Sequence, residues 1–236
     1  IGKTGLIQHV FHLLAERNIE VKCFYIDIFA TQSLYDFVVL LSKNIFGQLD
    51  DYSEKVLRRI STFFKSSRLN FSFDSMSRVP SVSLEINPTN VELTLEEIFN
   101  YLKFSGKRCY IAIDEFQQIS EYPEKGVEAM LRSYIQFCPN VKFIFAGSKK
   151  HLMDAIFSSV NRPFYQSTQK IGLDIISQDK YKIFADQLFS ESGKELGEGV
   201  FSLIYSKTLG HTWYIQTILN HLFSINKTQY DITDVE

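Results

Sequence analysis

"CYIAIDEF", residues 109 to 116, decides how this chain is read. Cys109 to Ile113 have the apolar, β-rich character of a strand buried on both faces, and the run ends at two adjacent carboxylates, Asp114 and Glu115. Buried strands of this kind belong to parallel sheets covered by helices, and such sheets bind ligands just beyond the carboxyl ends of their strands. Alone, an Asp-Glu pair reads better as the start of a solvated loop. Its meaning depends on what else the chain carries.

The second stretch is "IGKT", residues 1 to 4. Gly2, Lys3 and Thr4 match the last three positions of G-x-x-x-x-G-K-[ST], a loop whose backbone N–H groups cradle phosphates while its Lys reaches the terminal ones. Such a tripeptide arises by chance in roughly one chain in eight of this length, so it is weak by itself. Here it opens an amphipathic run, "GLIQHVFHLLAERN", with Leu6, Val10, Leu13 and Leu14 at helical spacing, followed by the strand-like "VKCFYIDIF". Helix then strand is the order expected after a phosphate loop. Together the two motifs favour a nucleotide site. Gly2, Lys3, Thr4 and Gly5 would hold phosphates, and the Thr4 hydroxyl and Asp114 would hold Mg²⁺. Glu115 is left as the base that orients or deprotonates an attacking water. On this reading the loop's front half and its preceding strand would lie before residue 1.

The remaining segments alternate. Residues 33 to 48 read as a helix capped by Ser33, and a further helix is expected over about 52 to 66. In "LNFSFDSMSRVPSVSLEI" the period changes to two, which predicts a β-hairpin whose loop contains Pro80, inserted into the α/β pattern. "LTLEEIFNYLKFSG" carries Thr94 and Glu97 in a capping-box spacing. After the 109–114 strand come a helix in "EKGVEAMLRSYIQFC", the strand "VKFIFAGS", the short helix "KKHLMDAIF" and an expected last strand in "STQKIGLDII". From residue 177 only helical patterns remain, so the chain divides into an α/β core, 1 to 176, and an all-helical part, 177 to 236.

Bulk properties exclude little but point one way. The 236 residues are 45% hydrophobic and 22% charged, with a net charge of −2, which offers no global field for nucleic acid. Cys23, Cys109 and Cys138 lie far apart in apolar runs and read as buried thiols. No apolar stretch reaches the ~18 residues that span a bilayer, and a cytoplasmic location is expected. His9 and His12 have a metal-compatible spacing without an acidic or Cys partner nearby in sequence.

This constellation resembles the AAA+ branch of P-loop ATPases. It is most similar to archaeal-type and STAND-like members, above all to uncharacterised ATP-binding proteins of Bacteroidetes. The likeness runs through "IGKTGLI", "FYIDIFAT", "YIAIDEFQQI", "FIFAGSKKHLM", "NRPFYQ" and "GHTWYIQ". It implies a five-stranded parallel sheet of the additional-strand type, a helical lid over 177 to 236, and often a winged helix beyond it. Ser148 would stand at the sensor 1 position, although it also suits an N-cap for the helix that follows. Arg162 would be a γ-phosphate or interface arginine, or a surface residue held beside Pro163. The lid contains no arginine, and the family's G-x-P reads "GHT", with Thr212 in place of Pro. Gln117 and Gln118 would position water or simply form a loop; Asp27 and Thr31 would restrain Glu115 or cap a helix. The implied activity is slow Mg-ATP hydrolysis acting as a switch. The alternative is a nucleotide-gated interaction module, or a DNA-associated one, that hydrolyses little. The implied partners are ATP or ADP and a protein or second copy, with DNA only through a domain outside this chain and no membrane.

Overall fold

The computed structural model describes residues 2–17, 19–46, 48–49, 61–73 and 80–235, with only the backbone described within 69–73 and 80–83. These residues form two compact units, Lys3–Gln169 and Lys170–Glu236, the latter grouped with residues 1 and 2. The first holds, in chain order, α1 (Lys3–Glu16), β1 (Lys22–Asp27), α2 (Leu34–Ile45), β2 (Arg68–Phe73), β3 (Pro80–Glu85), α3 (Val91–Phe104), β4 (Cys109–Asp114), α4 (Val127–Gln136), β5 (Val141–Phe145) and α5 (Lys150–Ser158). The second holds α6 (Gln178–Glu191), β6 (Glu195–Leu196), α7 (Val200–Lys207), α8 (Thr212–Ser224) and β7 (Gln229–Tyr230).

Strands β1, β4 and β5 form a parallel sheet with β4 in the middle, both of its edges occupied. Strand alternation then assigns the faces. Phe24 and Ile26, Ile111 and Ile113, Phe143 and Phe145 join the larger core, which α2, α3 and α4 cover with Phe37, Leu41, Leu95, Ile98 and Leu131. Tyr25, Ala112 and Ile144 face the other way, against Ile7 and Phe11 of α1. The two coverings differ in strength. Ile7 is the one buried residue of α1, and Leu6 and Val10 stay exposed. On the opposite face Phe116 and Phe145 stand 4.2 Å apart between ring centroids, and Phe157 and Phe164 close the cluster.

Several local expectations change. Helix α2 begins as expected, with the Ser33 hydroxyl accepting from the Asp36 N–H at 3.2 Å. Helix α3 starts earlier than Thr94, because a 3₁₀ turn at Pro88–Asn90 runs directly into it. Thr94 is therefore inside the helix and buried, its hydroxyl bonded back to the Asn90 carbonyl, and the capping box does not form. Glu97 instead accepts from the backbone N–H groups of Lys65 and Ser66, both at 2.9 Å. Pro80 opens β3 rather than lying in the loop, a position where its missing N–H costs no ladder bond. The helix expected over about 52 to 66 falls largely outside the described residues.

The last strand expected in 167 to 176 is not present. Among the described residues these positions have no ladder partner, and Ile171 and Ile175 lie exposed. Apolar alternation shows that a segment can pair; pairing also needs a partner strand, and among the described residues this segment takes none. The second unit is likewise not purely helical. Gly197 donates its N–H to the Tyr230 carbonyl at 2.8 Å, and a Cβ at Gly197 would meet that oxygen at 2.6 Å. This close approach lets β7 pair in parallel with β6 and carries Tyr230 into a core of Tyr181, Phe189, Phe201, Ile204 and Ile215.

Candidate functional site

The site grows from the carboxyl end of β4. Residues 112 and 114 face α1 by alternation, and Ala112 is in register with Tyr25 of β1. A tyrosine is long enough to reach the diagonal neighbour on the same face, two residues further along the partner strand. The Tyr25 hydroxyl accordingly donates to Asp114 Oδ2 at 2.6 Å. The Thr4 hydroxyl, one residue into α1, donates to the same oxygen at 2.6 Å. The Glu115 N–H donates to Oδ1 at 2.9 Å.

These bonds decide the electrostatics of Asp114, which is only 4% exposed. Burial pushes its pKa up, but the bonds from Thr4, Tyr25 and the Glu115 backbone, with the nearby Lys3 charge, outweigh it and hold the carboxyl below its ordinary value. Tyr25 moves the other way. Burial and its bond to the Asp114 carboxylate raise the phenol to about 12.

Glu115 differs from its neighbour. Its backbone sits in the left-handed region at φ 57°, a conformation that costs a non-glycine residue about 1–3 kcal/mol. The surrounding backbone imposes it: Phe116 N–H bonds to the Ala146 carbonyl, and Ala146 N–H to the Ile113 carbonyl, both at 2.9 Å. Its Oε2 accepts from the Ser148 hydroxyl at 2.8 Å and from the Gln117 amide. Ser148 was open between a phosphate sensor and a helix cap. Lys149 occupies the N-cap position of α5, and the Ser148 side chain turns to Glu115 instead.

At the other wall, Gly2 has φ 85°, a conformation suited to glycine, and Lys3, Thr4, Gly5 and Leu6 form the first turn of α1. The N–H groups of a first turn have no partner within their helix, which makes this end a natural anion site. A Cβ at Gly5 would meet nothing within 4 Å, so the structure gives no steric reason for glycine there.

Other sequence candidates are held elsewhere. Arg162 pairs with Glu128 of α4 and bonds the Ser120 hydroxyl at 3.0 Å. Asp27 accepts from the Phe29 N–H, and Thr31 is buried against the Ile28 carbonyl and the Tyr122 hydroxyl, so these bonds do not restrain Glu115. Gln118 bonds the Thr31 carbonyl, a loop contact. His12 pairs with Glu16 at 3.0 Å on the exposed side of α1. One residue was missed: Tyr25 becomes visible by counting strand faces only once the register of β1 against β4 is known. Gln117 is a sequence candidate for positioning water or forming a loop; its burial gives no sequence signal, because its position follows from a 3₁₀ turn at Phe116–Glu121.

Thr4 and Asp114 present a hydroxyl and a carboxylate oxygen, the hard donors that Mg²⁺ takes alongside water and phosphate oxygens. Among the described residues no group of three or more His, Cys, Asp or Glu side chains forms an all-protein cage, and Mg²⁺ does not require one. The donor set fits.

A helix opening on Gly-Lys-Thr whose hydroxyl meets an acid at the tip of a parallel strand defines a P-loop nucleotide-binding domain. Its family is given by residues 1–178 of the 236, which match the model of the KAP family P-loop domain. The chain belongs to that family. No curated protein matches it. Among solved structures it is similar to the Walker-type ATPase PABY2304 of Pyrococcus abyssi, with 17% identity and a TM-score of 0.57 over 97% of this chain and 62% of that one. It is also similar to the ORC2 protein of Aeropyrum pernix, solved as ADPNP–ADP complexes, with 14% identity and a TM-score of 0.58 over 100% of this chain and 57% of that one. The chain thus spans less than two thirds of either, and at these identities the likeness is one of fold. No described helix is long and apolar enough to cross a membrane.

Proposed function

We propose that this domain binds Mg-ATP and hydrolyses it slowly, as a nucleotide-dependent switch of the AAA+ and STAND-like kind. The observation that carries the reading is the bond between the Thr4 hydroxyl and Asp114, which joins the two halves of a phosphoryl-transfer site across 110 positions of sequence. Lys3 and the first-turn N–H groups, with Gly2 and Gly5, would hold the β- and γ-phosphates. Thr4 and Asp114 would hold Mg²⁺, which when bound neutralises charge on the phosphate oxygens. Glu115 would take the proton of the attacking water, and Ser148 would report the γ-phosphate. Arg162, held by Glu128 and Ser120, would reach a nucleotide only after leaving them, so its role is that of an interface arginine.

The additional-strand type is supported by β4, whose two edges are both taken by β1 and β5. In this reading residues 177 to 236 act as the lid, with His211 and Trp213 at its coupling end, and β2–β3 is an insertion. Partners are ATP, ADP and a protein or second copy of the chain, in the cytoplasm; DNA would be contacted only by another domain. The likeness to ATP-binding proteins of Bacteroidetes belongs to the same proposal.

Two variants of the full-length protein test it. Lys3→Ala removes the loop's one point charge, and titration calorimetry should show ATP affinity lost. Glu115→Gln should bind ATP as the wild type does while turnover falls about 10²- to 10⁴-fold, the share of a positioned general base. Unchanged affinity in Lys3→Ala would remove the loop from the site. Tight binding with no turnover in the wild type would favour a nucleotide-gated interaction module instead.

A further inference from the structure

We propose that Gln117 is the positioning residue of Glu115, and that Gly147 is glycine because it makes room for it. The inference rests on the ATPase reading above and deepens it. Gln117 is only 2% exposed, and its Nε2 donates to Glu115 Oε2. Its Oε1 is buried with no hydrogen-bond partner among the described residues. A glutamine buried for packing alone would be replaced at no loss by an apolar residue, because a half-satisfied buried amide is unfavourable. What this amide retains is its bond to Glu115.

The slot is shaped for it from the segment just past β5. A Cβ added to Gly147 would fall 2.2 Å from Gln117 Oε1 and 2.6 Å from Met153 Sδ. Both are shorter than real contacts allow, so a side chain at 147 displaces the amide. Position 147 adjoins Ser148, which is exposed and supplies the second donor to the same Glu115 oxygen. Both donors therefore fix one oxygen of the carboxylate, and no described residue bonds the other, Oε1. A carboxylate anchored through one oxygen presents the second for a proton from water. Ser148 is the donor open to solvent and free to exchange Glu115 for a phosphate oxygen. Gln117, sealed from solvent, keeps its hold throughout.

The test uses Mg-ATP and the full-length protein. Gln117→Met keeps length and approximate volume and removes the amide, both its donor to Glu115 and its unpartnered Oε1. Its kcat should fall roughly 10- to 100-fold, less than the 10²–10⁴ expected for the base itself, with ATP affinity within about twofold of wild type. Gly147→Ala should reproduce that split; should it fail to fold, Gln117→Met alone carries the test. In a Glu115→Gln background, Gln117→Met should cause less than about a twofold further loss in residual turnover, because the group it positions is already gone. Loss of kcat, affinity and thermal midpoint together, equal in both backgrounds, would mark a general loosening of the fold and would overturn the proposal. So would wild-type kcat in Gln117→Met. A wild type that binds Mg-ATP without turning it over would overturn the ATPase reading and this role with it. That failure appears in the parent protein, not in the variants.

Discussion

The two walls of the site are built differently. At the tip of β4, Asp114 accepts three hydrogen bonds, Glu115 two, and the backbone on either side is locked to β5. At the start of α1, one side-chain bond, from Thr4, ties the phosphate wall to the acid wall, and the helix behind it buries one residue. The acid wall is thus preorganised by the fold. The other wall supplies a charge and a set of first-turn N–H groups that, on the proposed reading, a nucleotide would partner. Mutations on the first wall should therefore be felt by the folded protein itself, and mutations on the second mainly by its ligand.

The largest effect that sharpens this contrast is at Asp114. Its depressed pKa means that the bonds it accepts favour the charged form more than burial penalises it, so its removal should destabilise. Asp114→Ala leaves the Thr4 and Tyr25 hydroxyls and the Glu115 N–H without their acceptor and should lower stability by about 1–3 kcal/mol at neutral pH. Lys3→Ala, on the other wall, should change it by less than about 0.5 kcal/mol. The sign with pH follows from the direction of the shift. The Asp114 contribution is present above the ordinary carboxylate range and disappears as pH falls through the lowered folded value, so the gap between wild type and Asp114→Ala should close in acid. Denaturant titrations at neutral and acid pH check both points. A Lys3→Ala loss as large as that of Asp114→Ala would break the comparison.

The fold was legible where one chemistry repeats along a stretch. "VKCFYIDIF" and "CYIAIDEF" read as strands from their length and β-rich composition, and a carboxylate that ends such a run falls at a strand tip. The Thr4–Asp114 pair was legible for the same reason, because both motifs have fixed positions on their elements. What failed depended on partners distant in sequence. Thr94 has the spacing of a cap, but Pro88 upstream starts the helix first. The 167–176 stretch has strand alternation, but pairing is a property of two segments. The pairing of Arg162 with Glu128 was not legible either, because packing decides it, and it leaves the arginine's functional role as a proposal.

A middle-sized effect concerns Tyr25 and, away from the site, Tyr122. Both phenols are raised to about 12, Tyr25 by burial and its bond to Asp114, Tyr122 by burial despite the opposing effect of its hydrogen bond with Thr31. A raised phenol favours the protonated form in the fold. Its contribution is whole below the ordinary tyrosine value near 10 and is lost as pH rises towards 12. An ultraviolet phenolate titration should show a late-ionising population in wild type that includes Tyr25 and Tyr122, beside Tyr134 and Tyr181, which burial also raises, and one tyrosine fewer in that population in Tyr25→Phe. If Tyr25→Phe leaves the late-titrating population intact, the Asp114 cluster is looser than its geometry implies, and the acid wall is no better organised than the phosphate wall.

The smallest expected effect is a gain. Gly5 lies in the first turn of α1, is exposed, and has open space where a Cβ would project. Glycine in a helix is less favourable than alanine by about 0.5–1 kcal/mol, through the entropy of the unfolded chain. Gly5→Ala should therefore raise the thermal midpoint of the nucleotide-free protein by about 1–4 °C for a chain of this size. Gly147→Ala should lower it, because its Cβ has no space beside Gln117 and Met153. The opposite signs come from the same substitution on the two walls, so differences in chemistry between residue types drop out. A fall in midpoint for Gly5→Ala would mean that the first turn of α1 is already packed without nucleotide. The phosphate wall would then be as preformed as the acid one.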